Sequence, residues 1–395
     1  MITPKIRGGV CMNAHPEGCA REVQIQKEVV ERQEFTGKGP KTVLVIGGST
    51  GYGLASRLTA AFGYGAETIG ISYEKEASGK RPATPGWYNT RAFDLLARKA
   101  GLESSSFNTD AFAHATRDRI AGLLRDKEKK VDLLVYSLAS GVRPDPDTGQ
   151  LYRSTLKPVG EVYTTKSVDF MKDTISNVSI EPATEEEIEA TVKVMGGEDW
   201  QLWIDYLQEQ GLLADRFKTV AFSYIGPEVT HPIYRSGTIG RAKEHLEKTA
   251  RQMHSRFSAN GGGAYVSINK AVVTRASAVI PAVPLYISLL FKVMKQNDLH
   301  EGCIEQMVRL FRERLYTTEA VPVDDNQLIR IDDWEMRADV QREVASRWEA
   351  VTEETLDDLA DLEGFRSDFL RIHGFDVPGV DYEDEVDYSD IPDLG

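Results

Sequence analysis

The chain lacks several features that mark common classes of protein. It has three cysteines in 395 residues, Cys11, Cys19 and Cys303, and none sits in CxxC spacing. That speaks against a disulfide framework or a cysteine-rich zinc site and suits a reducing, cytoplasmic compartment. His15 lies between Cys11 and Cys19, but no fourth ligand is near, so a structural loop with buried thiols is expected there rather than a metal. Positive charge is also in deficit, with a formal net charge of −14. A nucleic-acid binder, or a protein held on an anionic membrane, would need a basic surface. No run of 18 apolar residues occurs; the nearest stretch, 276–294, is interrupted by Pro281, Pro284 and Lys292 and reads as buried rather than membrane-spanning. The opening residues carry no apolar leader run, as expected of a cytoplasmic chain.

What the chain does have is concentrated at 41–62, KTVLVIGGSTGYGLASRLTAAF. A short β-branched run, 41–46, is broken by glycines and followed by residues suited to a helix. Strand, glycine turn and helix in that order open a dinucleotide-binding fold. The glycines read GxxxGxG on Gly47, Gly51 and Gly53. They permit a tight turn and let a pyrophosphate approach backbone N–H groups at a helix N-terminus.

The remaining elements support an α/β fold of Rossmann type, a parallel sheet with insertions and a C-terminal helical part. Strands are expected at 67–74, 104–108, 131–138, 217–224 and 263–269. Before the first strand, extended segments around 13–18 suggest a hairpin. Helices are expected at 86–101, 118–130, 237–255, 281–295, 300–315 and 333–351. Thr184 followed by Glu187 forms a capping box for one helix over 184–210, with Trp200 and Trp203 as core. The whole chain, 1–395, reads as one catalytic domain with an insertion at 141–216, between the fourth and fifth strands. Residues 276–395 supply substrate-covering and C-terminal helices, and the acidic stretch 376–395 reads as a partly ordered tail. Glu74 closes the second strand, where a carboxylate accepts hydrogen bonds from the adenosine ribose and repels the extra phosphate of NADP. That favours NAD, although Lys75, Lys80 and Arg81 could instead welcome the phosphate, and an ordinary exposed glutamate is the plain alternative.

Hydride transfer to a carbonyl or enone needs an acid near the forming oxyanion and a cation to hold the ribose. The common YxxxK pair is absent. A six-residue gap occurs once, at Tyr73 and Lys80, beside the adenosine and away from the chemistry. An eight-residue gap occurs at Tyr163/Lys172, Tyr234/Lys243 and Tyr286/Lys295. Nine positions along an unbroken helix turn a side chain by about 900°, onto the opposite face. This excludes Tyr286/Lys295, and Tyr163/Lys172 falls in the polar insertion. Gly237 and Gly240 interrupt the third segment, so Tyr234 can occupy a loop and Lys243 the helix after it.

Taken with these features, the stretches GGSTGYGLASRLTAAFGYGAETIG, TPGWYN, YSLAS, VKVMGGEDW, SYIGPE, YRSGTIGRAKEHLE, VVTRASAVIP and LYISLLFKVMK closely resemble the bacterial NADH-dependent trans-2-enoyl reductases with a Tyr-x8-Lys signature. The resemblance runs from about residue 13 to 373. It implies reduction of the C2=C3 bond of enoyl-CoA or enoyl-acyl carrier protein by NADH in fatty acid synthesis, by a monomeric enzyme. It further implies Tyr234 as proton donor, Lys243 as ribose ligand and Tyr224 as substrate-carbonyl contact. Cofactor contacts would fall on Gly48, Ser49, Thr50, Gly51, Tyr52, Gly53, Tyr73, Glu74, Asp110, Ala111, Leu138, Ala139, Val272, Val273 and Thr274. A ketoreductase on the same fold and a non-catalytic NAD sensor are the alternatives; the missing YxxxK speaks against the first and the intact tyrosine–lysine pair against the second.

Overall fold

The run TVLVI at 42–46 is buried at every position. A strand without a solvent face needs helices on both sides and belongs inside a parallel sheet. A computed structural model, which describes residues 2–79, 81–317 and 320–392, places it there.

In chain order, a hairpin of β1 (Ile6–Arg7) and β2 (Val10–Cys11) precedes α1 (Pro16–Glu31). The nucleotide-binding half follows as β3 (Thr42–Ile46), α2 (Gly51–Leu58), β4 (Glu67–Ser72), α3 (Pro85–Lys99), β5 (Ser104–Asn108), α4 (His114–Asp126) and β6 (Val131–Tyr136). Two antiparallel hairpins come next, β7 (Val142–Pro144) with β8 (Leu151–Arg153) and β9 (Tyr163–Asp169) with β10 (Thr174–Ile180). Helices α5 (Glu185–Met195) and α6 (Glu198–Glu209) lead to β11 (Leu213–Ser223), α7 (Thr238–Phe257) and β12 (Gly263–Ile268). The chain ends with α8 (Val283–Gln296), α9 (Cys303–Leu310), β13 (Leu328–Arg330), α10 (Ala338–Ala350), α11 (Leu356–Leu359) and α12 (Leu362–Arg371).

One seven-stranded parallel sheet runs β13-β12-β11-β6-β3-β4-β5. The chain leaves β3 toward β4 and β5, then returns to β6 on the other side. That reversal opens a crevice at the carboxyl ends of β3 and β6, the place where such sheets bind ligands. Val43 and Val45 pack into one helical layer with Val23, Leu54 and Phe93. Leu44 and Ile46 pack into the other with Ile120, Trp200 and Leu246. A third apolar cluster gathers around α8, with Val340, Val344, Phe365 and Phe369.

Several expectations need correction. The N-terminal hairpin lies at 6–11, before the predicted place, because Pro16 occupies the first turn of α1 and the His15 ring accepts a hydrogen bond from the Gly18 N–H at 3.2 Å. Cys11 and Cys19 are buried free thiols. The predicted helix over 184–210 is two helices. The capping box at Thr184 and Glu187 is present, but the chain turns at Gly196–Gly197, where a Cβ on Gly197 would stand 2.3 Å from Thr249 Oγ1 of α7. A seventh strand, β13, went unpredicted, since three residues carry no periodicity. The acidic tail packs back on α3: Tyr88 Oη donates to the Tyr388 carbonyl at 2.7 Å, and Arg91 makes two 2.7 Å bonds to Asp390. Lys80, and the end of that tail at 393–395, lie outside the described residues.

Candidate active site

The turn after β3 is held by close packing. Gly47 adopts φ +86°, and a Cβ on Gly53 would lie 2.0 Å from the Gly47 carbonyl oxygen. Only glycines let α2 come this close to β3. Thr50 precedes α2 without a side-chain cap, so the first N–H groups of the helix stay available to an anion. At the end of β4, Glu74 is folded inward and accepts from Ser49 Oγ at 2.8 Å. Arg275 Nη1 stands 3.4 Å from the same carboxylate. Asp110 accepts from the Phe112 N–H at 2.9 Å and so shapes the turn before α4.

A cavity of about 930 Å³ joins these parts. Ser49, Thr50, Gly51, Tyr52, Tyr73, Glu74, Asp110, Ala111, Leu138 and Ala139 line its nucleotide side. Tyr224, Tyr234, Lys243, Val272 and Thr274 line the rest. Among the described residues Gly48, Gly53 and Val273 do not reach it. Gly48 backs onto Val45, Gly53 lies under the turn, and Val273 packs into the cluster around α8.

Tyr224 follows β11 directly, and Tyr234 sits in the turn before α7. Their rings meet edge to face, with centroids 4.9 Å apart and planes at 88°. Burial pushes the Tyr234 hydroxyl up to about 12, so it keeps its proton at neutral pH. Lys243, on the first turns of α7, donates to the Phe222 carbonyl at 2.9 Å. Burial pulls its ammonium down to about 8, with Glu247 opposing the shift. The rival pairs lie elsewhere. Tyr163 Oη donates to the Val229 carbonyl, and Lys172 pairs with Asp169. Lys295 pairs with Asp361 on the far side of α8 from Tyr286.

Sequence reasoning missed the support behind Tyr224. Glu335, fully buried, takes Tyr224 Oη at 3.0 Å and Tyr286 Oη at 2.6 Å. No local pattern marks Glu335, which comes from the segment between β13 and α10. Arg275 was also missed, although it directly follows Thr274.

The arrangement is a dinucleotide crevice that ends in two tyrosines and a lysine, and the comparisons with known proteins agree with it. Residues 81–316 match the family model described as the trans-2-enoyl-CoA reductase catalytic region, and 1–79 match its NAD(P)H binding domain. The chain belongs to the trans-2-enoyl-CoA reductase family. Among its curated relatives, an enoyl-acyl-carrier-protein reductase (NADH) of Coxiella burnetii is 54% identical over 98% of this chain and 96% of its own. One of Flavobacterium johnsoniae is 53% identical over 97% and 96%. The trans-2-enoyl-CoA reductase of Treponema denticola, solved in complex with NAD, superposes with a TM-score of 0.94 at 51% identity, covering 98% of both chains. That of Clostridium acetobutulicum, solved with NADH, gives 0.95 at 43% identity and the same coverage.

A third match, over 323–386, is to a model described as an enoyl reductase FAD binding domain. The residues there do not fit a flavin. Val340, Val344 and Phe365 are taken up by an apolar seam packed on α8, and of the described residues in this segment only Phe369 and His373 reach the cavity, too few to hold a flavin ring. The glycine turn and Glu74 do fit NADH.

Proposed function

We propose that this enzyme reduces the C2=C3 double bond of trans-2-enoyl thioesters with NADH, and that Tyr234, Lys243 and Tyr224 carry the chemistry. NADH, when bound, supplies the hydride that reaches the β-carbon. The protein then has to stabilise negative charge on the thioester oxygen. Tyr234, still protonated at neutral pH, donates to that oxygen and gives up a proton as the enolate collapses. Tyr224 holds the same oxygen from the side. Lys243 binds the ribose and places a positive charge next to the donors. The nucleotide contacts fall to Gly48 through Gly53, Tyr73, Glu74, Asp110, Ala111, Leu138, Ala139 and Val272 through Thr274. Gly48, Gly53 and Val273 act from behind the cavity wall, by shaping the turns that bear the others.

One observation carries this reading: two tyrosine rings in edge-to-face contact share a cavity wall with the half-buried Lys243. Residues 276–395 are read as the substrate-covering part, because Val283 and Ile287 of α8 line the cavity and suit an acyl chain. The insertion at 141–216 and the rest form one catalytic unit with them. Family membership displaces the ketoreductase and NAD-sensor alternatives. The relatives' names divide between CoA and acyl carrier protein as the thioester carrier, and we infer activity on enoyl-CoA. We also infer a monomer acting in cytoplasmic fatty acid synthesis. No helix among the described residues is long and apolar enough to cross a membrane.

Mixing the protein with NADH and crotonyl-CoA and following nicotinamide absorbance tests the reading. Loss of absorbance that depends on the thioester is expected. No turnover of any short enoyl-CoA at saturating NADH would overturn the carrier assignment. Light scattering in line with gel filtration tests the monomer.

A further inference from the structure

A tyrosine hydroxyl has a single proton, and where Tyr224 sends it decides what the residue can do. Glu335 receives two donors whose direction is fixed. Gln341 Nε2 donates to Tyr286 Oη at 3.2 Å, so Tyr286 spends its own proton on Glu335 Oε1 at 2.6 Å. The Ala271 N–H donates to Glu335 Oε2 at 2.7 Å. The third contact, Glu335 Oε1 to Tyr224 Oη at 3.0 Å, can run either way. If Glu335 is a carboxylate, Tyr224 must donate to it and then offers the cavity only lone pairs. A developing enolate oxygen would meet repulsion. If Glu335 is a carboxylic acid, it donates to Tyr224, and the Tyr224 proton is released toward the cavity.

The surroundings favour the acid. Glu335 is fully buried, and among the described residues no cation is hydrogen-bonded to it. The charged groups facing it are Lys270 and Asp332. Lys270 spends its ammonium on the carbonyls of Ala271 and Glu301, at 2.9 and 3.2 Å. Burial pushes the Glu335 carboxyl above its ordinary range, against the Tyr286 hydrogen bond, the Lys270 charge and the Ala271 N–H, with Asp332 adding a little to the rise. A buried carboxylate without an ion pair is costly.

We propose that Glu335 is a positioning residue which, as the neutral acid, donates to Tyr224 Oη and so aims the Tyr224 proton at the thioester oxygen of the substrate. This rests on the role given to Tyr224 above. No net proton transfer is involved, since the acid keeps its proton throughout. A glutamine at 335 keeps the donation to Tyr224 through its amide NH₂ and the acceptance from Ala271 through its oxygen; that NH₂ cannot accept from Tyr286 as Oε1 does, so the glutamine is tested together with Tyr286→Phe.

The test joins kinetics to infrared spectroscopy at neutral pH. The wild type should show the carbonyl stretch of a protonated carboxylic acid that Glu335→Gln removes and Tyr224→Phe shifts. Glu335→Gln combined with Tyr286→Phe should keep kcat within a few-fold. Glu335→Ala should fall toward Tyr224→Phe, on the order of 100-fold below wild type, and combining the two should cost little more. Absence of the band in the wild type, with Tyr224→Phe impaired, would overturn the proposal through Glu335. Full activity in Tyr224→Phe would overturn it through the Tyr224 role, whatever the band does. The Glu335→Gln/Tyr286→Phe variant as inactive as Glu335→Ala, with NADH binding and melting temperature intact, would also overturn it. If a Glu335 variant fails to fold, the band and its shift in Tyr224→Phe, where Glu335 is intact, decide.

Discussion

Tyr224 and Tyr234 stand perpendicular to one another across 4.9 Å, one on the tip of β11 and the other in the turn that feeds α7. The contact fixes both rings, and both residues line the cavity. On the proposed reading they are donors set in place before charge develops.

Tyr234→Phe removes one hydroxyl and keeps that ring contact. Thermal stability should change little and NADH affinity should persist, because the glycine turn and Glu74 are untouched. kcat should fall on the order of 100-fold. Near-normal kcat in this variant, measured under saturating NADH and thioester, would require a different proton donor.

Lys243 gives a pH dependence. Its ammonium titrates at about 8, so the charge is present below that pH and lost above it. NADH affinity and kcat should both decline as pH rises through this range. Lys243→Ala should bind NADH weakly across the same range and lack the decline. An unchanged pH profile in the variant, followed by fluorescence titration of NADH, would remove Lys243 from ribose binding.

Glu74 should give a strong preference for NADH over NADPH. Glu74→Ala should narrow it, since the carboxylate that repels the 2′-phosphate goes and Arg275, 3.4 Å from it, stays. Similar kcat/KM for both cofactors in the wild type would contradict the assignment.

Gly53→Ala should damage the turn itself. The added Cβ would meet the Gly47 carbonyl at 2.0 Å, and backbone cannot move aside as a flexible side chain can. A loss of about 2 kcal/mol or more in stability is expected, together with weaker NADH binding. Denaturant unfolding and NADH titration check both parts; an unaffected variant would mean the turn is not packed as described.

Tyr163→Phe remains a neutral control and should keep kcat within a few-fold, because Tyr163 Oη only donates to the Val229 carbonyl. Tyr286→Phe should also stay within a few-fold, since losing its donation to Glu335 leaves the neutral acid and its contact with Tyr224 in place. A large loss in Tyr286→Phe alone, measured side by side with Tyr163→Phe on crotonyl-CoA, would argue against the acid at Glu335.

Local order was enough to determine much of this protein. The apolar run at 42–46 and the glycines after it mark a nucleotide turn because they act through near neighbours in the chain, and Glu74 is legible from its place just past the second strand. The break at Gly237 and Gly240 separates Tyr234/Lys243 from two pairs with identical spacing for the same reason. Only tertiary structure decided the rest. β13 is three residues long and owes its state to pairing with β12. The helix over 184–210 divides at the Gly196–Gly197 pair, a break that the glycines themselves record, and what only the fold adds is the close approach of α7 to Gly197. Glu335 reaches Tyr224 from more than a hundred positions away, and Arg275 meets Glu74 across the crevice mouth. Hydrogen bonds between such distant segments exist only once the sheet has brought them together, so periodicity and spacing carry no trace of them.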